Sequence, residues 1–320
     1  MNQSNPKTGR KHEKYELLLA RAKALQPLPT AIVHPCDESS LTGAVQAADL
    51  GLLAPILVGP MERVKAVAHK YGLDISRFET VDTPHSHASA SEGVRLVREG
   101  RAECLMKGSL HTDELIGAVV AREEGLRTAR RISHCFVMDV PTYAVPLIVS
   151  DAAVNIAPTL EEKVDIVQNA IDLAHALGAQ EVRVAILSAM ETVNPKVPST
   201  IEAAALCKMA DRGQITGALL DGPLAFDNAV DPEAARIKGI KSAVAGQAQI
   251  LVVPDLEAGN MLAKNLTFMM KADSAGIVLG ARVPIILTSR ADSLRGRMAS
   301  CAIAVLYADG RRHASTVAAA

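Results

Sequence analysis

Leu287-Thr288-Ser289-Arg290-Ala291-Asp292-Ser293 gathers a hydroxyl, a guanidinium and a carboxylate into one short turn. The turn follows the apolar run Val283 to Leu287, which reads as a buried strand, and it opens a helix expected from about Ser293 to Tyr307. In open α/β sheets, ligands bind beyond the carboxyl ends of the strands. A helix N-terminus at that edge presents N–H groups and a partial positive charge, which suits a phosphate or a thiolate. Helix capping alone also accounts for Asp292 or Ser293, with Arg290 as a solvated charge.

Met106-Lys107-Gly108-Ser109-Leu110-His111-Thr112 stands in the same strand–turn–helix context. Gly108 lets backbone approach a ligand, Lys107 is a point charge for phosphate, and His111 and Thr112 can donate hydrogen bonds. The spacing is not that of a Walker A loop, and Thr112 also reads as a simple helix cap. Further polar residues interrupt apolar runs: Asp151 with Asn155, Asp221 with Asp227, and Asp255 with Asn260. Each suits a strand-end site, and turn chemistry explains them equally. His85 and His87 have metal-ligand spacing, but no metal is expected there.

These groups need a scaffold, and the pattern supplies an α/β one. Apolar strand-like runs (Thr30–Val33, Ala54–Val58, Glu103–Met106, Val182–Leu187, Ala218–Leu220, Ile250–Val253) alternate with amphipathic segments, which indicates a largely parallel sheet. Helices are expected near 13–25, 40–50, 61–71, 89–99 and 113–122. Thr159-Leu-Glu-Glu162 reads as a capping box, ahead of an apolar stripe from Leu160 to Leu177 that Gly178 closes. Asp231-Pro232 opens a helix expected to reach about Ala245.

The chain has 320 residues, enough for one large or two ordinary domains. Its 34 basic and 35 acidic residues leave a net charge of −1, and aromatics are 2% with no Trp. That excludes a polyelectrolyte footprint and base-stacking platforms, so no nucleic-acid partner is expected. The N-terminus is polar, and no apolar run approaches the ~18–20 residues of a membrane span. A cytoplasmic protein without membrane contact is expected. The five cysteines (Cys36, Cys104, Cys135, Cys207, Cys301) show no zinc or CxxC spacing and read as reduced, mostly buried thiols.

Taken in order along the chain, several segments resemble the phosphate acetyltransferase/phosphate butyryltransferase family. They are Met106–Thr112, Gly125-Leu-Arg-Thr128, Ser133-His134, Asp151-Ala-Ala-Val-Asn155, Asp221-Gly-Pro-Leu-Ala-Phe-Asp227, Pro254–Asn260 and Thr288–Asp292. The resemblance spans roughly residues 30–310. It implies a two-domain α/β fold like that of isocitrate/isopropylmalate dehydrogenases, with mostly parallel sheets and helices on both faces. Residues 1–128 and 277–320 would form the first domain and 129–276 the second, with the active site in the cleft between them.

The implied reaction is acyl-CoA + phosphate = acyl phosphate + CoA, by direct thiolate attack in a ternary complex, with a short acetyl or butyryl group transferred. Ser289, Arg290 and Asp292 would be catalytic. Lys107, Gly108, His111, Thr112, Arg131, Asn155, Asp221 and Asn260 would bind phosphate or substrate. No cofactor is implied beyond coenzyme A as a substrate, and the family's enzymes are usually homodimers. The chain departs from the acetyltransferase pattern twice. Their catalytic aspartate falls where this chain has Gly296, so the carboxylate here comes sooner, as Asp292. Their helix arginine falls near Ile116-Gly117, leaving Lys107, Arg127, Arg130 and Arg131 as substitutes. Two other functions fit the same fold: a metal- and NAD-dependent decarboxylating dehydrogenase, and a non-catalytic acyl-CoA or phosphate sensor.

Overall fold

The computed structural model describes residues 13–288 and 293–318. The chain divides into two compact units. The larger comprises residues 18–135, 172–180, 275–288 and 293–318; the smaller comprises 13–17, 136–171 and 181–274. The chain therefore enters the smaller unit, returns briefly at 172–180, and comes back for good after residue 274. Helix α1 (Glu13–Lys23) contributes to both. In the larger unit, Arg130 pairs with Asp172 at 2.7 Å and Arg21 donates to the carbonyl of Leu177, which ties the 172–180 segment there.

In the larger unit, β1 (Leu28–Val33) is flanked by β2 (Leu53–Gly59) and β4 (Cys104–Lys107), and β2 by β3 (Glu79–Asp82), all parallel. β11 (Ile285–Ile286) runs parallel to β4 and antiparallel to β10 (Asp273–Leu279). Ile32, Met106 and Ile286 share one register row, so β1, β4 and β11 end on the same edge. These strands are apolar along their length, as strands covered on both faces must be; Ile32, Leu105, Met106, Ile285 and Ile286 are fully buried. Short helices join them: α2 (Glu38–Asp49), α3 (Met61–Tyr71), α4 (Ser86–Arg98) and α5 (Thr112–Val119). Asp37 caps α2 by accepting from the Ser40 amide at 2.8 Å, and His85 caps α4 by accepting from the Ala88 amide.

β5 (Ser133–Asp139) carries the chain into the smaller unit, where β6 (Leu147–Ser150), β9 (Ile250–Val252), β7 (Arg183–Leu187) and β8 (Leu219–Leu224) lie side by side in that order, all parallel. Its helices are α6 (Leu160–Ala176), α7 (Pro198–Asp211), α8 (Phe226–Val230), α9 (Pro232–Ile237) and α10 (Leu256–Phe268). The capping box forms: the Thr159 amide donates to Glu162 Oε2 at 2.9 Å, and the Glu162 amide to Thr159 Oγ1 at 3.3 Å. Val149, Ala185, Leu187 and Leu251 fill its core.

The helix ends that differ most from the sequence expectation are those of α9 and α11. Asp231 caps α9 as expected, accepting from the Ala234 amide at 2.7 Å, but the helix stops at Ile237 rather than Ala245. Gly239 then adopts a left-handed φ of 67° and its amide returns to Arg236, a C-terminal stop. The final helix, α11 (Leu294–Ala318), runs well past Tyr307. Its residues Met298 to Ala308 are buried on every side, a core stretch, and the helix runs on beyond it through the exposed Arg311 to His313. Among the described residues, no helix is long and apolar enough to cross a membrane.

Candidate active site

At the strand-end edge of the larger unit, β1, β4 and β11 deliver three loops. β1 ends at Val33 and passes into His34, β4 ends at Lys107, and β11 is followed by Leu287 and Thr288. Ser289, Arg290 and Asp292 lie outside the described residues; the chain is described again from Ser293, and α11 begins at Leu294. A cavity of about 690 Å³ opens at this edge, lined by His34, Asp37, Ser39, Arg63, Ser109 and Arg297 among others, with Leu294 on its wall.

The loop after β4 is held by the end of β1. The Gly108 amide donates to the Val33 carbonyl at 2.8 Å and the Ser109 amide to the His34 carbonyl at 2.9 Å. A Cβ at Gly108 would come within 2.4 Å of the Val33 oxygen and 2.5 Å of the His34 oxygen. The glycine thus answers to protein backbone on this side, and its amide is already used. Lys107 pairs in register with Val33 and is half-buried. His111 occupies the N-cap of α5 without a capping bond from its side chain, and Thr112 is the first helical residue.

Two cations border the cavity. Arg63 comes from α3, and Arg297, 8% exposed, reaches from the second turn of α11 to donate to the Ser39 carbonyl at 2.9 Å. Asp37 and Glu38, at the start of α2, also line the cavity. His34 is buried, and that burial, followed by the Arg63 charge, pushes its pKa below the ordinary histidine value; Glu114 and Asp37 pull it the other way. Burial also raises the Cys36 thiol beside it. Neither His34 nor Arg297 is prominent in the sequence. The available signal was position: His34 is the first polar residue past an apolar parallel strand, where ligand loops begin.

Other expected residues lie in the smaller unit. Asp151 is buried after β6, and its carboxylate accepts from the amides of Ala153, Val154 and Asn155 and from Asn155 Nδ2 at 2.6 Å. Asn260 on α10 donates to the Ala152 carbonyl at 3.3 Å. Asn155 and Asn260 therefore meet on one loop. Asp221 sits apart from them on β8, where it accepts from the Gly222 amide at 2.8 Å. Of the candidate basic substitutes, Arg127 and Arg131 are exposed and Arg130 is paired with Asp172. Among the described residues, no group of His, Cys, Asp and Glu could hold a metal ion. None of the five cysteines is in a disulfide.

Comparison with known proteins adds a direct line. Residues 87–305 match the family model described as "Phosphate acetyl/butaryl transferase". The chain is 67% identical over 306 residues to a phosphate acetyltransferase from Rhizobium meliloti, covering 96% of each chain. It is 40% identical over 294 residues to a phosphate butyryltransferase from Clostridium acetobutylicum, covering 92% of this chain and 98% of that one. Among solved structures, a branched-chain phosphotransacylase from Enterococcus faecalis V583 superposes with a TM-score of 0.76 at 30% identity, covering 87% of this chain and 98% of that one.

Proposed function

Because the chain belongs to the phosphate acetyl/butyryl transferase family, we propose that Ser289, Arg290 and Asp292 carry out its reaction. That reaction moves a short acyl group between coenzyme A and inorganic phosphate. The observation that carries the reading is the 67% identity to a phosphate acetyltransferase along nearly the whole chain. The described flanks support it, since Thr288 follows a strand that ends at the cavity's edge and Leu294 lines the cavity.

In the direction that forms acyl-CoA, the CoA thiol attacks the acyl phosphate carbonyl in a ternary complex. Asp292 takes the thiol proton, Ser289 hydrogen-bonds the sulfur or the developing oxyanion, and Arg290 holds the phosphate. An ordinary aspartate and thiol differ by about 4.5 in pKa, roughly 6 kcal/mol uphill. Ser289 and Arg290 lower that cost by stabilising the thiolate, the form that attacks. None of these steps calls for a metal or a redox group. Lys107, His111 and Thr112 belong to the same phosphate-binding proposal, and Asn155 and Asn260 to the loop that Asp151 orders.

Acetyl is the proposed acyl group, since the relative of 67% identity bears that name and the butyryl-named one is at 40%. A cytoplasmic homodimer completes the reading and is checked by light scattering of the purified protein. The function itself is tested by thiol release from acetyl-CoA, propionyl-CoA and butyryl-CoA, each with and without phosphate. Phosphate-dependent release, fastest with acetyl-CoA, is expected. Release without phosphate, or none with any acyl-CoA, contradicts it, and NAD reduction with a hydroxy acid would restore the dehydrogenase alternative.

A further inference from the structure

We infer that His34 is the proton acceptor for inorganic phosphate in the direction that forms acyl phosphate, an assignment that rests on the transfer reaction proposed above. Three observations converge on this residue. It stands where β1 ends, on the edge shared with β4 and β11, and it lines the cavity together with Arg63, Arg297 and Ser109. Its φ of 58° is left-handed, a conformation that a non-glycine residue keeps only where its surroundings hold it. The hold is visible: its carbonyl accepts from the amides of Cys36 and Ser109 and from the Ser109 hydroxyl, at 2.8, 2.9 and 2.9 Å.

The ring's Nδ1 faces a hydroxyl network. Ser89 Oγ on α4 lies 3.0 Å from the His85 carbonyl, to which it can donate its single proton. It also lies 2.8 Å from Thr83 Oγ1 and 3.0 Å from His34 Nδ1, and the proposal takes it as the acceptor from both. In that arrangement His34 carries its proton on Nδ1 and keeps a lone pair on Nε2. The charged and titratable groups acting on it are Arg63 from α3, Asp37 at the cap of α2, Glu114 from α5 and His85 at the cap of α4. Burial and Arg63 dominate and favour the neutral ring, the form able to accept.

The proton balance gives it a task. Hydrogen phosphate must lose its proton as it becomes an acyl phosphate. Nε2 takes that proton as the phosphate oxygen bonds to the thioester carbonyl carbon. The C–S bond then breaks and sulfur leaves with the electron pair as the CoA thiolate. The thiolate takes a proton from Asp292, which water reprotonates, and His34 returns its own to water, so the two residues serve opposite ends of the exchange and no net proton is gained or lost. Arg63 and Arg297 provide the positive surroundings that a phosphate dianion needs beside the base.

His34→Gly is the test, because glycine accepts the left-handed backbone and leaves a ring-sized space. The variant is expected to lose at least about 100-fold in kcat for phosphate-dependent thiol release, the lower range for a general base, with the KM for acyl-CoA changed by less than about threefold. Added imidazole should restore at least about tenfold of that loss, in proportion to its neutral fraction. A His34→Gly enzyme within about threefold of wild-type turnover overturns the assignment, and so does a loss that imidazole leaves untouched. Wild-type protein is assayed alongside: an inactive wild type sinks the transfer reaction itself, whereas an active wild type with an unaffected variant removes His34 alone.

Discussion

The Ser109 hydroxyl donates to the carbonyl of His34 at 2.9 Å while accepting from the Cys36 amide at 3.2 Å, so one side chain stitches the loop after β4 to the end of β1. The two loops that border the cavity are thus a single unit. Disturbing either should move both.

Gly108→Ala tests that coupling. The new methyl would meet the Val33 and His34 carbonyl oxygens at 2.4 and 2.5 Å, and neither is the tip of a flexible side chain. Stability should fall by about 1–3 kcal/mol, as for an overpacked site, and turnover should fall with it. Urea denaturation measures the first. Unchanged stability with a raised KM for phosphate would instead mark Gly108 as a ligand contact.

In the smaller unit, Asp151 should matter for folding of its loop. Its carboxylate receives three backbone amides and the Asn155 side chain in a buried setting. Asp151→Ala leaves those donors without an acceptor, and a loss of at least about 2 kcal/mol is expected from the stranded N–H groups. Thermal unfolding followed by circular dichroism reads it. An Asp151→Ala protein as stable as wild type would contradict the assignment.

Lys163 on α6 is 4% exposed and its ammonium bonds Glu202 on α7. Glu202 is partly exposed, so water softens the penalty of removing it. Glu202→Ala should destabilise by about 1–3 kcal/mol, because a nearly buried ammonium loses its carboxylate. Lys163→Met, which removes the charge with the partner left near solvent, should cost less. The reverse ranking in denaturant midpoints would contradict this.

Alkaline pH should weaken the fold through its buried thiols. Burial raises the pKa of Cys104 and pushes that of Cys301 up to about 12. Unfolded thiols ionise near pH 8.5 while these stay protonated in the fold, so the native state binds more protons above that pH. Stability is therefore present below about pH 8.5 and falls above it, by up to roughly 1.4 kcal/mol per pH unit for each buried thiol. A Cys104→Ala/Cys301→Ala protein should show a shallower decline between about pH 8.5 and 10. An equal slope would assign the loss elsewhere.

Much of the scaffold is legible in the residues. The capping box at Thr159 and Glu162, the stop at Gly178 and the Asp231 cap are local chemistry, and local chemistry survives folding. β3 escaped because Glu79-Thr-Val-Asp82 is a polar edge strand with no apolar run. The end of α11 escaped because the helix continues past its buried stretch into the exposed residues Arg311 to His313, where no apolar stripe marks it. The family motif Thr288–Asp292 is contiguous and can be read from the sequence alone, while its residues 289–292 lie outside the described residues. His34, Arg63 and Arg297 come from three separate elements, and only the shared strand edge and the start of α11 bring them to one cavity. No spacing rule in one dimension encodes that meeting.

Asp292→Asn most directly tests whether the segment Ser289–Asp292 is the reacting centre. The variant keeps the shape of the side chain and removes its basicity. Thiol release from acetyl-CoA with phosphate should fall at least about 100-fold in kcat, while the Kd for CoA stays within about threefold of wild type. Turnover near the wild-type value would contradict the account.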